Sequence, residues 1–168
     1  VERVSPEAPV PIVCYEKEMD TLGGCGNVLR NLSNLDVKTS VVSFVGKDQS
    51  GKLIKKKLIE LDVDIDGLLF FDNVRTTHKM RIIADKQQVL RVDWDTKGIA
   101  TSDYEKLEKV ISQKVKNIDV VIISDYNKGM CSQVLTKAVI TKAKKNGIPV
   151  FVDPKGKKWS KYSGATCI

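Results

Sequence analysis

Two apolar runs, DVVIIS (119–124) and IPVFV (148–152), flank CSQVLTKAVITKAKKNG, a lysine-rich stretch with helical spacing that stops at Gly147. No other feature of the chain constrains its fold as strongly. A run of β-branched residues without polar alternation reads as a strand buried on both faces. A helix-length connection between two such strands makes them parallel. The same logic applies upstream, where KTSVVSFVG (38–46) reads as a buried strand and KDQSGKLIKKKLIEL puts Leu53, Ile54, Leu58 and Leu61 on one helical face. SDYEKLEKVISQKV aligns Tyr104, Leu107, Ile111 and Val115, with Ser102 as the expected N-cap. GATCI looks like the start of a further strand. The predicted fold class is α/β, a doubly wound and mostly parallel sheet.

Residues 68–94 differ in character. LLFF, HKMRIIA and QQVLRVDW are all strand-like, and the last two are joined by Asp85-Lys86 in a tight hairpin. Alternation puts Lys79, Arg81 and Ile83 on one face of the first hairpin strand, and Arg91 and Asp93 on one face of the second. A hairpin this polar does not fit between layers of helices. It reads as a small separate sheet with a face toward solvent or ligand. APVPIVCY (8–15) reads as another strand, whose prolines suit an edge or a detached ribbon. The expected division is therefore a β appendage (8–15 and 76–94) on an α/β core (21–71 and 97–168).

At 168 residues the chain makes one domain, or most of one. No apolar run approaches the roughly 18 residues of a membrane span. The opening VERVSPEAP has no apolar signal region, and a first residue other than Met suggests that further residues precede it. Four dispersed cysteines and a single histidine argue against a zinc site and fit a reduced, cytoplasmic protein. Cys25, inside a glycine cluster, is either a reactive thiol or a small filler. The net charge of +7 invites nucleic acid, but the lysines lie along amphipathic helices and no aromatics interleave with them. The field also suits a small anionic ligand such as a sugar phosphate.

In open parallel sheets, ligands bind beyond the carboxyl ends of the strands. Two strands end there in charged motifs: SDYNKG supplies Asp125 and Lys128, and VFVDPKG supplies Asp153 and Lys155. Each carboxylate could be a simple turn former. Together with lysines they could hold sugar hydroxyls and phosphates. A third wall comes from LGGCGNVLRNLSNL (22–35), with three glycines in four positions before a helix carrying Val28, Leu32 and Leu35. That cluster is either an ordinary turn or a place where backbone must approach a ligand.

GGCGN followed by a helix resembles the sugar-binding segment of the ribokinase-like (PfkB) carbohydrate kinases, and the β appendage looks like their lid. RVSPEAPVPIV, KMRIIADKQQVLRVDWD, SDYNKG and VFVDPKG together resemble the heptose-7-phosphate kinase domains of bifunctional ADP-heptose synthases. The resemblance spans nearly the whole chain. It implies a ribokinase-like fold with a β lid, here incomplete at both ends. The implied activity is transfer of the γ-phosphoryl of ATP, with Mg²⁺, to C1 of D-glycero-D-manno-heptose 7-phosphate, a step toward lipopolysaccharide heptose. It further implies that Gly23, Gly24 and Asn27 hold sugar hydroxyls, although Asn27 could equally be a helix N-cap. Asp125 would orient the sugar and Lys128 would lie near a phosphate. Asp153 and Lys155 would line the passage to the nucleotide. Arg3, Lys79, Arg81 and Arg91 would face the 7-phosphate, or a solvated hairpin face. The family's catalytic aspartate lies in a Gly-Ala-Gly-Asp segment that these residues lack. That base is expected beyond Ile168, so the stretch is expected to be inactive alone. Lid strands of the family pair between subunits, which implies a homodimer.

Three other readings remain at this stage. One is a ribokinase-like kinase for a different sugar, a nucleoside or a vitamin precursor. Another is a non-catalytic sugar-phosphate-binding or dimerisation module. The third is a nucleic-acid binder.

Overall fold

The computed structural model describes residues 3–96 and 98–168, with only the backbone described at Arg3, Val4 and Pro11. Two β-α-β units form the core. In the first, β3 (Ser40–Gly46), α2 (Gln49–Glu60) and β4 (Asp64–Phe71) follow one another, and β3 and β4 pair in parallel. In the second, β7 (Val121–Ser124), α4 (Gln133–Lys145) and β8 (Val150–Asp153) repeat the pattern, with β7 and β8 parallel. Parallel pairing follows from the helical crossovers, as the apolar runs require. GATCI adds a parallel bridge, Phe151 to Cys167, at the outer side of β8.

Helix α3 (Thr101–Lys114) joins the two units. Leu107, Ile111 and Val115 on its buried stripe pack with Phe44 and Phe71 of the first unit and with Ile123, Val150 and Val152 of the second. A second cluster, including Leu29, Val41, Val45, Leu58 and Leu68, lies under α1 (Cys25–Ser33) and α2. Among the described residues β3 pairs only with β4, and β7 only with β8. The two parallel pairs thus share a hydrophobic core without sharing a ladder.

The hairpin is as expected. β5 (His78–Ala84) and β6 (Gln87–Trp94) pair antiparallel, Lys79 opposite Asp93 and Arg81 opposite Arg91. Asp85 and Lys86 both have positive φ, 50° and 65°, as a two-residue type I′ turn demands. Asp48 clamps the chain where it leaves the core for this hairpin. Its Oδ1 caps α2 by accepting from the Gly51 amide at 2.8 Å, and its Oδ2 accepts from the Thr76 amide at 2.8 Å. Gly46 permits the close approach: a Cβ there would stand 2.2 Å from the Val74 carbonyl.

Four local expectations need correction. The strand expected over 8–15 reduces to β2 (Pro11–Ile12), paired antiparallel with β1 (Arg3–Val4). The N-cap of α3 is Ala100, so Ser102 sits inside the first turn. The N-cap of α1 is Gly24, which removes the capping alternative for Asn27. Leu35 lies beyond the end of α1 and is exposed, while Leu29 is the residue that helix buries.

Candidate functional site

An open cleft of about 2410 Å³ is lined by β3, β7, the glycine turn and β5. It exceeds the roughly 1,000 Å³ of a large small-molecule pocket, because it also takes in the space between β3 and β7. Gly23, Gly24, Asp125, Lys128, Lys79 and Arg81 all line it.

The glycine turn enters α1 through Gly24, at φ 52° and ψ −129°, a conformation closed to side chains. The ring of Tyr126 occupies the space a side chain would need, 3.3 Å from where a Gly24 Cβ would lie. Tyr126 therefore joins the glycine turn to the tip of β7, with 45% of its surface exposed in the cleft wall.

Asp125, at that tip, is 3% exposed. Its Oδ1 accepts from the Asn127 amide at 2.6 Å. Its Oδ2 accepts from the Tyr162 hydroxyl at 2.6 Å and from the Lys161 ammonium. Burial alone would raise its pKa; the Lys161, Tyr162 and Asn127 bonds more than offset that and hold it below the usual carboxylate range. Nearby, burial pushes the Cys131 thiol up to about 12. Burial also raises the thiol of Cys25, although that residue keeps exposed surface overall. Burial therefore holds both sulfurs in the thiol form.

Two lysines of the cleft, Lys79 and Lys128, are held by carboxylates of the lid. Lys128 pairs with Asp95 at 2.6 Å, just past the end of β6. Lys79 meets Asp93 at 2.7 Å, and Arg91 meets the same carboxylate at 2.9 Å. The Lys79 hydrogen bond, with Arg91 beside it, holds Asp93 below its ordinary pKa. Arg81 forms no ion pair among the described residues and stands directly opposite Arg91. Like charges opposed across a ladder repel, so an anion over that face would relieve them.

Other expected residues lie elsewhere. Asn27 lies within α1, where its Oδ1 accepts from Arg30 at 2.6 Å, and it does not line the cleft. Arg91 is outside the lining too, and so are Asp153 and Lys155. Asp153 and Lys155 are nonetheless tied to the β7 tip: the Asp125 amide donates to the Asp153 carbonyl at 3.0 Å, and the Lys155 amide to the Tyr162 hydroxyl at 3.3 Å. Ile168, beyond which the catalytic base is expected, is exposed and takes no part in the cleft wall. The side chain of Arg3 lies outside the described residues. Tyr126, Arg75, Lys161 and Tyr162 escaped the sequence reading. Tyr126 sits within SDYNKG and could have been found there. Arg75 lines the cleft with its guanidinium 5.4 Å from the Trp94 ring, a placement only the folded lid reveals. Among the described residues no three acidic, histidine or cysteine side chains converge to hold a metal. No helix among them is long and apolar enough to cross a membrane.

The sequence profile of pfkB family carbohydrate kinases matches residues 15–165. Bifunctional protein HldE of Sulfurimonas denitrificans is 44% identical over 165 residues, covering 98% of this chain and 35% of that protein. Bifunctional protein HldE of Helicobacter pylori J99 is 44% identical over 168 residues, covering 99% of this chain and 36% of its own length. The chain therefore spans about a third of the curated relatives it matches. Among solved structures, a possible 1-phosphofructokinase from Thermotoga maritima superposes with a TM-score of 0.71 at 18% identity, over 92% of this chain and 51% of that one. Arabidopsis thaliana ribokinase, complexed with ribose and ATP, gives 0.58 at 21% identity, over 86% of this chain and 48% of that one. These likenesses establish a ribokinase-like fold. With its profile matched over most of its length, the chain belongs to the pfkB family of carbohydrate kinases.

Proposed function

We propose that the full-length protein is an ATP-dependent sugar kinase acting on C1 of D-glycero-D-manno-heptose 7-phosphate. The observation that carries this reading is the shared cleft: a glycine turn, a strand-tip carboxylate and the cations Lys79, Arg81 and Lys128 all line one space. A neutral sugar needs the first two features, whereas three cations at the rim suit a substrate that already bears a phosphate. The 44% identity to HldE proteins supports the heptose in particular. In this reading Gly23 and Gly24 let backbone approach the sugar, Asp125 orients it, and Lys128 exchanges Asp95 for a phosphate oxygen. Arg81, with Lys79 and Arg91, holds the 7-phosphate. Asp153 and Lys155 face the nucleotide. Phosphoryl transfer depends mainly on positioning and charge neutralisation, and these groups supply both. The base that takes the acceptor proton comes from sequence beyond Ile168. ATP is the phosphoryl donor, with Mg²⁺ carried on its phosphates. The enzyme works in the cytoplasm as a homodimer paired through its lids.

The test is incubation of purified full-length protein with ATP and either heptose 7-phosphate or the unphosphorylated heptose, followed by ³¹P NMR. The expected result is a new anomeric phosphate only from the 7-phosphate. Replacing Lys79 and Arg81 with Ala is expected to raise KM for the sugar phosphate about 10- to 100-fold. Equal turnover of the unphosphorylated sugar, or a double variant with wild-type KM, would contradict the assignment.

A further inference from the structure

Lys161 and Tyr162 are adjacent in a 3₁₀ turn (Trp159–Tyr162) that follows β8. Both reach the same oxygen of Asp125. The Lys161 ammonium donates to Oδ2, and also to the Cys131 carbonyl at 3.1 Å. The Tyr162 hydroxyl donates to Oδ2 at 2.6 Å and accepts from the Lys155 amide at 3.3 Å. Tyr162 has no exposed surface. One turn thus ties together the β7 tip, the segment before α4 and the loop carrying Lys155. A buried ion pair is weak evidence of added stability, because desolvating both charges offsets their attraction. Fixing orientation is a different matter. With Oδ2 accepting two bonds the carboxylate is fixed in orientation, and Oδ1, which among the described residues takes the Asn127 amide alone, keeps one acceptor direction.

We infer that Lys161 and Tyr162 are positioning residues of the cleft, holding the Asp125 carboxylate in one orientation so that its Oδ1 can accept a hydroxyl of the bound sugar. The inference rests on the sugar-kinase reading and adds two residues to its site. It also accounts for the company Asp125 keeps. The titratable groups facing it are Lys161 and Tyr162 from the 3₁₀ turn and the Cys131 thiol from the segment before α4. Cys131 stays neutral across the working range, so Lys161 is the charge that keeps Asp125 ionised.

The test compares full-length wild type with Lys161→Met, Lys161→Arg and Tyr162→Phe, measuring kcat/KM for the sugar phosphate against pH. Lys161→Met is expected to lower kcat/KM about 100-fold, the scale of a small misplacement at a reacting centre. Its acid limb is expected to move up by about 1 to 3 pH units, since burial then acts on Asp125 without its cation. Lys161→Arg restores both in large part, and Tyr162→Phe costs about 10-fold. Folded variants with wild-type kcat/KM, or with lowered kcat/KM and an unmoved acid limb, would overturn the inference. Should Lys161→Met fail to fold, Tyr162→Phe decides alone. A wild type inactive on every sugar phosphate defeats the kinase reading itself; an active wild type with indifferent variants defeats only the positioning role.

Discussion

Asp48 and Asp125 show how single carboxylates organise this chain. Each is held below its ordinary pKa: burial opposes ionisation, but backbone amides at Asp48, and Lys161 with Tyr162 at Asp125, prevail. A depressed folded pKa stabilises the fold above the unfolded value near 3.9, and that contribution disappears as pH falls through the folded value. The urea midpoint is therefore expected to be flat from about pH 7 to 5 and to fall below about pH 4, less steeply in Asp48→Asn. A midpoint that rises on acidification would contradict this. Asp48→Ala removes a helix cap and the Thr76 clamp together, an expected loss of about 1–3 kcal/mol by urea denaturation. Gly24→Ala meets both a forbidden conformation and the Tyr126 ring. An expected cost of about 1–3 kcal/mol should appear in the melting temperature. At this scale the acids at strand tips were legible, because a buried apolar run that stops at Asp-Tyr or Asp-Pro announces an edge. Their partners were not. Nothing local in WSKYSG says that Lys161 and Tyr162 fold back onto Asp125, 36 and 37 positions earlier.

Among the elements, the lid hairpin was the most legible, since period-two alternation sets its faces and Asp85-Lys86 its turn; the register shift between Ile82 and Ile83 carries no such signal. Its weak point is the turn, where Lys86 adopts φ 65° without being glycine. Lys86→Gly is expected to stabilise the hairpin by about 1 kcal/mol, seen as slower amide exchange along β5 and β6; faster exchange would contradict the turn assignment. The helices were legible from their apolar stripes, but their caps less so. Ser102 has the right chemistry for a cap, yet the helix begins two residues earlier than that, with Ala100 at the cap and no side-chain cap hydrogen bond. The 8–15 ribbon failed for a related reason. Two prolines leave few donors for a ladder, and the apolar pattern overstates a pairing of two residues.

The whole molecule depends on distances that no local pattern carries. Each β-α-β unit could be read from its own residues. That α3 unites both units in one core, while β3 and β7, with no ladder between them among the described residues, line a common cleft, emerges only from packing. The convergence of Gly23–Gly24, Asp125, Lys128, Lys79 and Arg81 on that cleft is the central claim. Hydrogen–deuterium exchange of the full-length protein, with and without heptose 7-phosphate, tests it most directly. The account predicts that peptides covering 22–29, 78–94 and 124–131 gain protection together on binding. Protection confined to one of these, or appearing only elsewhere, would contradict it.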